Sequence, residues 1–286
     1  MKKYNQIKKS TGAFEAFSQK KLQRSIIRTG LNPNFSKTIS KEVAKKIHPG
    51  STTKEIYKHT INLIKKKSTI AATHYSLKKS LLELGPTGYE FEKLIAKYFE
   101  AIGYKTRTGI VIEGKFVTHE VDVIATKDGS NLFTECKFHN NGSRKNDIKV
   151  ALYVKARWDD LSAGPNGSNL KGYYLASNTT FTTDAIKYSS GVGLNLIGIN
   201  APEDESLLDK IKIYNLYPIT SLIRLKKYYI AILLRKKIIL CSELLKEKAL
   251  LHKLGMPTEE IQNIFLDIEH LLNNETSNNQ RANNEN

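Results

Sequence analysis

Cysteine is scarce in this chain of 286 residues: Cys136 and Cys241 are the only two. Their number excludes a disulfide scaffold and a cysteine zinc site, and it fits a reducing, cytoplasmic setting. Long apolar runs are missing as well. The longest, residues 228–234, is far too short to span a bilayer. The basic opening MKKYNQIKKS is not followed by the apolar stretch of a signal peptide, so no membrane association is expected. A Gly-x-x-x-x-Gly-Lys-Ser/Thr loop is also lacking, which argues against a P-loop ATPase. Acidic residues are rare in one region. Residues 1–80 hold 3 Asp and Glu against 19 Lys and Arg, whereas the remainder holds 25 against 26. Nearly all of the +17 net charge therefore sits in the first quarter. Such a field attracts the phosphates of a nucleotide or of a nucleic-acid backbone. A solvated lysine-rich surface is the plainer alternative.

The pattern along the chain divides it into parts. Residues 5–9 read as a strand, and Gly12 marks a turn. Ser18 is an N-cap candidate for a helix with Leu22, Ile26 and Ile27 on one face, closed by Gly30, Asn32 and Pro33. Helices follow at 36–47, after Ser51 or Thr52, and at 69–83. Gly85-Pro86-Thr87-Gly88 then punctuates the chain. A helix is expected at 88–102, strands near 104–113, 116–126 and 131–138, a helix at 147–161, a strand at 171–177, a helix at 181–190 and a strand at 194–199. This order predicts a mixed sheet flanked by helices. Residues from 203 onward read as helices, including 219–235 and 240–254, and the polar end 273–286 as a disordered tail.

The chemistry concentrates in two of these strands. Val121-Asp122-Val123 and Thr134-Glu135-Cys136-Lys137 flank a tight connection at residues 127–130, so the strands form a hairpin. Glu135 and Lys137 alternate onto one face, and pairing brings Asp122 alongside. Asp122 and Glu135 are a carboxylate pair suited to Mg²⁺, a hard cation that takes oxygen ligands. Such a cation polarises a phosphodiester and lowers the pKa of a bound water. Lys137 supplies charge for the developing anion. Glu92, on the preceding helix, edges the core and can reach over the sheet, whereas Glu90 falls with Lys93 and Lys97 nearer solvent. Acids inside apolar strands are costly without a partner or metal. The polar loop after the catalytic strand offers Arg144 and Lys145, and the next helix Lys149, Lys155 and Arg157, as candidate DNA phosphate contacts; solvated surface residues are the alternative. His119 and His139 have no compact metal spacing.

Residues 86–200 resemble the Mrr-like restriction endonucleases of the PD-(D/E)XK superfamily. The likeness lies in Gly88-Tyr89-Glu90-Phe91-Glu92, Gly103-Tyr104, Asp122, Glu135-Cys136-Lys137 and Asn178-Thr179-Thr180-Phe181-Thr182-Thr183-Asp184-Ala185. It implies Asp122, Glu135 and Lys137 as the catalytic set, with Glu92 as the helix-borne acid. Val121 stands where the superfamily's proline would be.

Residues 5–80 resemble the ATP-cone, a regulatory nucleotide-binding domain. The likeness rests on Ile7-Lys8-Lys9-Ser10-Thr11-Gly12, Glu15-Ala16-Phe17-Ser18, Lys21-Leu22, Gly50-Ser51-Thr52-Thr53-Lys54-Glu55-Ile56 and Ala72-Thr73-His74-Tyr75. Ser10-Thr11 replaces an acidic residue there and adds one position. The likeness implies ATP or dATP as ligand, with Lys8, Lys9, Glu15, Phe17, Lys21 and Thr52 around it. A basic helical domain that grips DNA directly is the alternative.

The expected fold is thus a small, mostly helical ATP-cone domain (1–84), a mixed-sheet α/β endonuclease domain (85–202), a helical C-terminal extension (203–272) and a tail (273–286). The expected function is Mg²⁺-dependent endonucleolytic cleavage of DNA, regulated by ATP or dATP through a homo-oligomer. A non-catalytic nucleotide-sensing DNA-binding regulator and a junction resolvase are the alternatives.

Overall fold

The structure is a computed structural model that describes residues 6–9, 11–203 and 205–284, with side chains described up to Asn273. Asn5, Ser10, Glu285 and Asn286, which the expected strand, nucleotide motif and tail include, lie outside the described residues. The chain forms two compact units, residues 1–77 and 78–286.

The first unit opens with a two-stranded hairpin, β1 (Gln6–Lys8) and β2 (Phe14–Ala16), followed by α1 (Gln19–Ile27), α2 (Pro33–Lys45), α3 (Thr53–Lys65) and α4 (Thr69–Ser80), the last running across the division. Ser18 caps α1 by accepting the Lys21 N–H at 3.2 Å. Leu22 and Ile26 are buried, but Ile27 is exposed. Asn32 and Pro33, expected to close that helix, instead begin α2: Asn32 accepts from Asn34 and proline takes the first turn. Proline suits that place because its missing N–H has no partner there and its φ is already helical. Of the two caps considered for α3, Thr52 is the one used. It forms a capping box with Glu55.

The second unit contains α5 (Tyr89–Ala101), β3 (Lys105–Glu113), β4 (Thr118–Lys127), β5 (Ser130–Lys137), β6 (Lys145–Asn146), α6 (Ile148–Ser162), β7 (Leu170–Ser177), β8 (Thr180–Phe181), α7 (Thr183–Val192) and β9 (Asn195–Ile197). Five strands make one mixed sheet in the order β3-β4-β5-β7-β9. The β3-β4-β5 portion is antiparallel and the β5-β7-β9 portion parallel. Neighbouring residues of a strand face opposite sides. On β7, Tyr173 stacks on Trp158 of α6, while Tyr174 meets Phe99 of α5 edge-on. The two helices therefore cover opposite faces of the sheet. Residues 78–84 belong to this unit: Leu81 and Leu84 are fully buried, and the Leu81 carbonyl accepts from Asn178. The unit thus starts earlier than the Gly85-Pro86 punctuation.

The helices beyond the sheet are α8 (Leu207–Ile213), α9 (Lys227–Arg235), α10 (Cys241–Leu244), α11 (Lys248–Lys253) and α12 (Thr258–Asn284). The helix expected at 219–235 is a short 3-10 turn, residues 219–221, followed by α9, and that expected at 240–254 is two helices. Lys237, at φ 64°, ends α9, and the Glu243 carboxylate restarts the chain by accepting the N–H groups of Ile239 and Leu240. Helix α12 extends to Asn284, into the residues expected as a tail, and no glycine or proline interrupts its polar second half. No described helix is long and apolar enough to cross a membrane.

Candidate active site

The hairpin that carries Asp122 is bent at that residue. Strands β3 and β4 pair regularly except where Gly109 faces Asp122, between the partners Thr108↔Val123 and Ile110↔Val121. Gly109 has φ 60°, a left-handed conformation that glycine adopts without steric cost. On one side of the bend the hairpin meets α5: Lys93 donates to Thr108 at 2.7 Å and Thr106 to Glu100 at 2.6 Å. On the other side it meets α6: His119 Nε2 lies 2.8 Å from Asp160 Oδ2. Asp122 sits where the hairpin passes from one helix to the other.

The acids gather at this point. Asp122 Oδ2 accepts the Cys136 N–H at 2.7 Å, which ties β4 to β5. Glu135 is only 4% exposed, and both its oxygens are engaged: Oε1 by Lys137 Nζ at 2.5 Å, Oε2 by the Arg157 guanidinium. Glu92 projects from the first turn of α5, close enough that Asp122, Glu120 and Glu135 act on it electrostatically. Burial, aided by these three carboxylates, pushes the Glu92 carboxyl up to about 7. Burial and the Glu135 charge push Asp122 up to about 6, against the pull of the Cys136 N–H, Lys137 and Arg157. Raised carboxyl pKa values of this kind mark acids that are buried first and crowded by other acids second. Glu90, expected nearer solvent, is half-buried, and its Oε2 is enclosed without a hydrogen-bond partner. Its carboxylate packs against Gly85, where a Cβ would fall 2.1 Å from that oxygen.

Arg157 requires a correction. Expected as a phosphate contact, it is 7% exposed and points inward from α6. It donates to Glu135 and to the Glu120 carbonyl and stacks near the rings of Phe133 and Tyr153. A helix turn of spacing from Val154 and Leu161 places it on the buried stripe, a signal the sequence already contained. Among the other cations, Arg144, Lys145 and Lys149 are exposed, while Lys155 is half-buried and paired with Asp159 at 2.5 Å. The loop bearing Arg144 is anchored by a buried amide, Asn146. Its side chain donates to Ser177 and Thr179 and accepts from or faces His139 at 3.1 Å. Ser177 in turn donates to the Lys137 carbonyl at 2.8 Å. Neither Asn146 nor Ser177 stood out in the sequence, because nothing in their spacing connects them.

Residues 85–201 match the family model described as "Restriction endonuclease", and residues 217–272 match "AF1548-like, C-terminal". Residues 85–201 are a restriction endonuclease domain. The chain is also similar to an uncharacterized protein of Archaeoglobus fulgidus, 29% identical over 181 residues, which are 62% of this chain and 99% of that protein. A crystal structure of a protein of unknown function, AF1548, superposes with a TM-score of 0.52 at 27% identity, covering 65% of this chain and 98% of the other. The endonuclease match contains Glu92, Asp122, Glu135, Lys137 and Arg157.

In the first unit, the proposed nucleotide residues fall into two groups. Lys9 pairs with Glu15 at 2.6 Å, and this contact, with Lys21 nearby, draws the Glu15 carboxyl below its ordinary range. Lys8 bridges Thr52, its N–H donating to the Ser51 carbonyl at 2.9 Å. The Thr52 hydroxyl oxygen is committed to capping α3, and Glu55 occupies that helix start. Phe17 is half-buried, whereas Lys8 and Lys21 are exposed.

Proposed function

We propose that the protein is a Mg²⁺-dependent endonuclease of the Mrr-like type that hydrolyses DNA phosphodiester bonds. The observation that carries this reading is the convergence of Glu92, Asp122, Glu135 and Lys137 at the bend of the hairpin, within a restriction endonuclease domain. Among the described residues no three His, Cys, Asp or Glu side chains are arranged as a ready metal site. The donor set nevertheless suits a hard cation: all oxygen, buried and crowded. Asp122 and Glu135 would hold the ion, with Glu135 shared between it, Lys137 and Arg157. The ion supplies polarisation of the phosphate and acidification of a water.

The protein's own residues perform the remaining work. Lys137, half-exposed and anchored to Glu135, presents its ammonium to the charge that builds on the phosphate oxygens. Glu92, with a carboxyl near neutrality, accepts the proton of the attacking water; a base poised near working pH does this best. Arg157 holds the second Glu135 oxygen and the β4 backbone at Glu120, fixing the distance between the two acidic strands. Arg144, Lys145 and Lys149 hold the DNA backbone without reading its sequence.

The first unit is, in this reading, an ATP-cone that binds ATP or dATP and biases the assembly of the protein. Lys9, Glu15 and Lys21 lie together, and the unit carries most of the net positive charge. Cleavage of supercoiled plasmid by the full-length chain tests the central claim. Nicking or linearisation with Mg²⁺, abolished by EDTA and by Asp122→Asn, is expected. Equal cleavage by wild type and Asp122→Asn would exclude this site.

A further inference from the structure

The tip of the β3–β4 hairpin presents apolar side chains to solvent. Phe116 is 78% exposed, Val117 58% and Val111 69%, the most apolar exposed stretch among the described residues of this hairpin. Exposure of this kind on a floppy loop would mean little, but the tip is rigidly held. Asp160 of α6 accepts the Phe116 N–H at 2.9 Å and the Val117 N–H at 3.3 Å, and its carbonyl accepts the Lys115 N–H at 2.9 Å. His119 braces the same carboxylate. Two glycines allow this close approach. A Cβ on Gly114 would fall 2.1 Å from Asp160 Oδ2, and one on Gly164 2.8 Å from the Glu113 carbonyl. The fold thus fixes an aromatic side chain outward, with Lys115 over its ring at 5.0 Å.

The same helix face links this tip to the catalytic residues. Lys149, Tyr153, Arg157 and Asp160 follow one another at helical spacing on α6. Tyr153 is half-exposed, and its ring lies 5.7 Å from Lys137 Nζ. From Tyr153 to Asp160 the helix advances about 10 Å. That is about three base steps of a DNA strand at roughly 3.4 Å each. Tyr153, beside Lys137, and Asp160, which clamps the tip that carries Phe116, therefore lie that far apart along one face of α6, with Lys149 on the same face and Lys115 beside Phe116. A second copy of the chain is a poorer occupant. A stable interface takes about 800 Å² from each partner, and three side chains at a hairpin tip fall far short of it.

We infer that Phe116 is a stacking wedge for unpaired bases, and that the substrate is DNA with unstacked bases near the cleaved bond. The inference rests on the endonuclease reading and narrows its substrate. Phe116 would stack on a base that has lost its neighbour, and Tyr153 would support the strand on the other side of Lys137. Stacking of one base on an aromatic side chain changes affinity about 5- to 150-fold.

The test uses the full-length wild type in EDTA, so that DNA is bound without being cut. Fluorescence anisotropy compares a perfect duplex with the same duplex carrying a two-nucleotide bulge that contains 2-aminopurine. The wild type is expected to prefer the bulged DNA at least fivefold and to change the 2-aminopurine emission. Phe116→Ser should remove that preference and the emission change, and Phe116→Trp should retain both. Circular dichroism confirms that the variants fold. A preference unaltered by Phe116→Ser, or no preference in the wild type, overturns the inference. So does a dimeric wild type that Phe116→Ser makes monomeric, because the tip then serves a second copy. If the perfect duplex is cut with Mg²⁺ while bulged DNA is not preferred, the endonuclease reading survives alone. If no DNA is bound at all, both fail.

Discussion

Replacing Glu92 by glutamine removes one charge from a crowded group of acids, and the structure fixes the sign of the result. In the folded protein the Glu92 carboxyl is pushed up to about 7 from an ordinary value of 4.5, first by burial and then by Asp122, Glu120 and Glu135. Below pH 4.5 the group is protonated in both folded and unfolded chains, and it contributes nothing. Between 4.5 and 7 the unfolded chain ionises while the folded one resists, so folding stability falls as pH rises through that window. Above 7 the full penalty is present. The shift corresponds to about 3 kcal/mol. Glu92 is only half-buried, and water screens part of the interaction, which brings the figure to about 1–1.5 kcal/mol. Glutamine keeps the shape and carries no such penalty. Glu92→Gln should therefore melt about 2–5 °C above wild type at pH 8 in EDTA, and together with wild type at pH 4. The same variant should lose cleavage, an exchange of activity for stability common at catalytic sites. Mg²⁺ should raise the melting temperature of the wild type more than that of the variant. Equal melting at pH 8, or a less stable variant, would refute the placement of Glu92 among the acids.

Further outcomes follow from the same geometry. Asp122→Asn and Glu135→Gln should abolish plasmid cleavage with an unchanged circular dichroism spectrum; Lys137→Ala should abolish it while calorimetry still detects Mg²⁺ or Mn²⁺ binding. Arg157→Met leaves Glu135 buried with one cation fewer and should cost about 3 kcal/mol of stability in urea unfolding, without altering the salt dependence of DNA binding. Lys149→Ala should do the reverse, reducing the slope of log affinity against log salt by about 1 with little change in stability. Lys21→Ala should weaken ATP and dATP binding measured by calorimetry and blunt any nucleotide-dependent change in light scattering. Absence of binding at millimolar nucleotide would remove the regulatory reading and leave the nuclease reading intact.

The sequence alone carried the alternation that puts Glu135 and Lys137 on one face and the short turn that pairs their strand with that of Asp122. These are local, period-two facts, and the observed strands agree with them. The helix and strand order of the endonuclease domain was legible for the same reason, since amphipathic spacing and glycine punctuation act over a few residues. Even Arg157 had a local signal, because it shares the buried stripe of α6, but its charge drew attention to solvent instead. What depended on the tertiary structure was the meeting of distant groups. The Gly109–Asp122 bend, the clamp of Asp160 on a turn more than forty residues earlier in the chain, and the joint hold of Lys137 and Arg157 on Glu135 arise only when helices pack on the sheet. The pKa values of Glu92 and Asp122 belong to the same class, because burial and neighbouring charge exist only once the chain has closed around them.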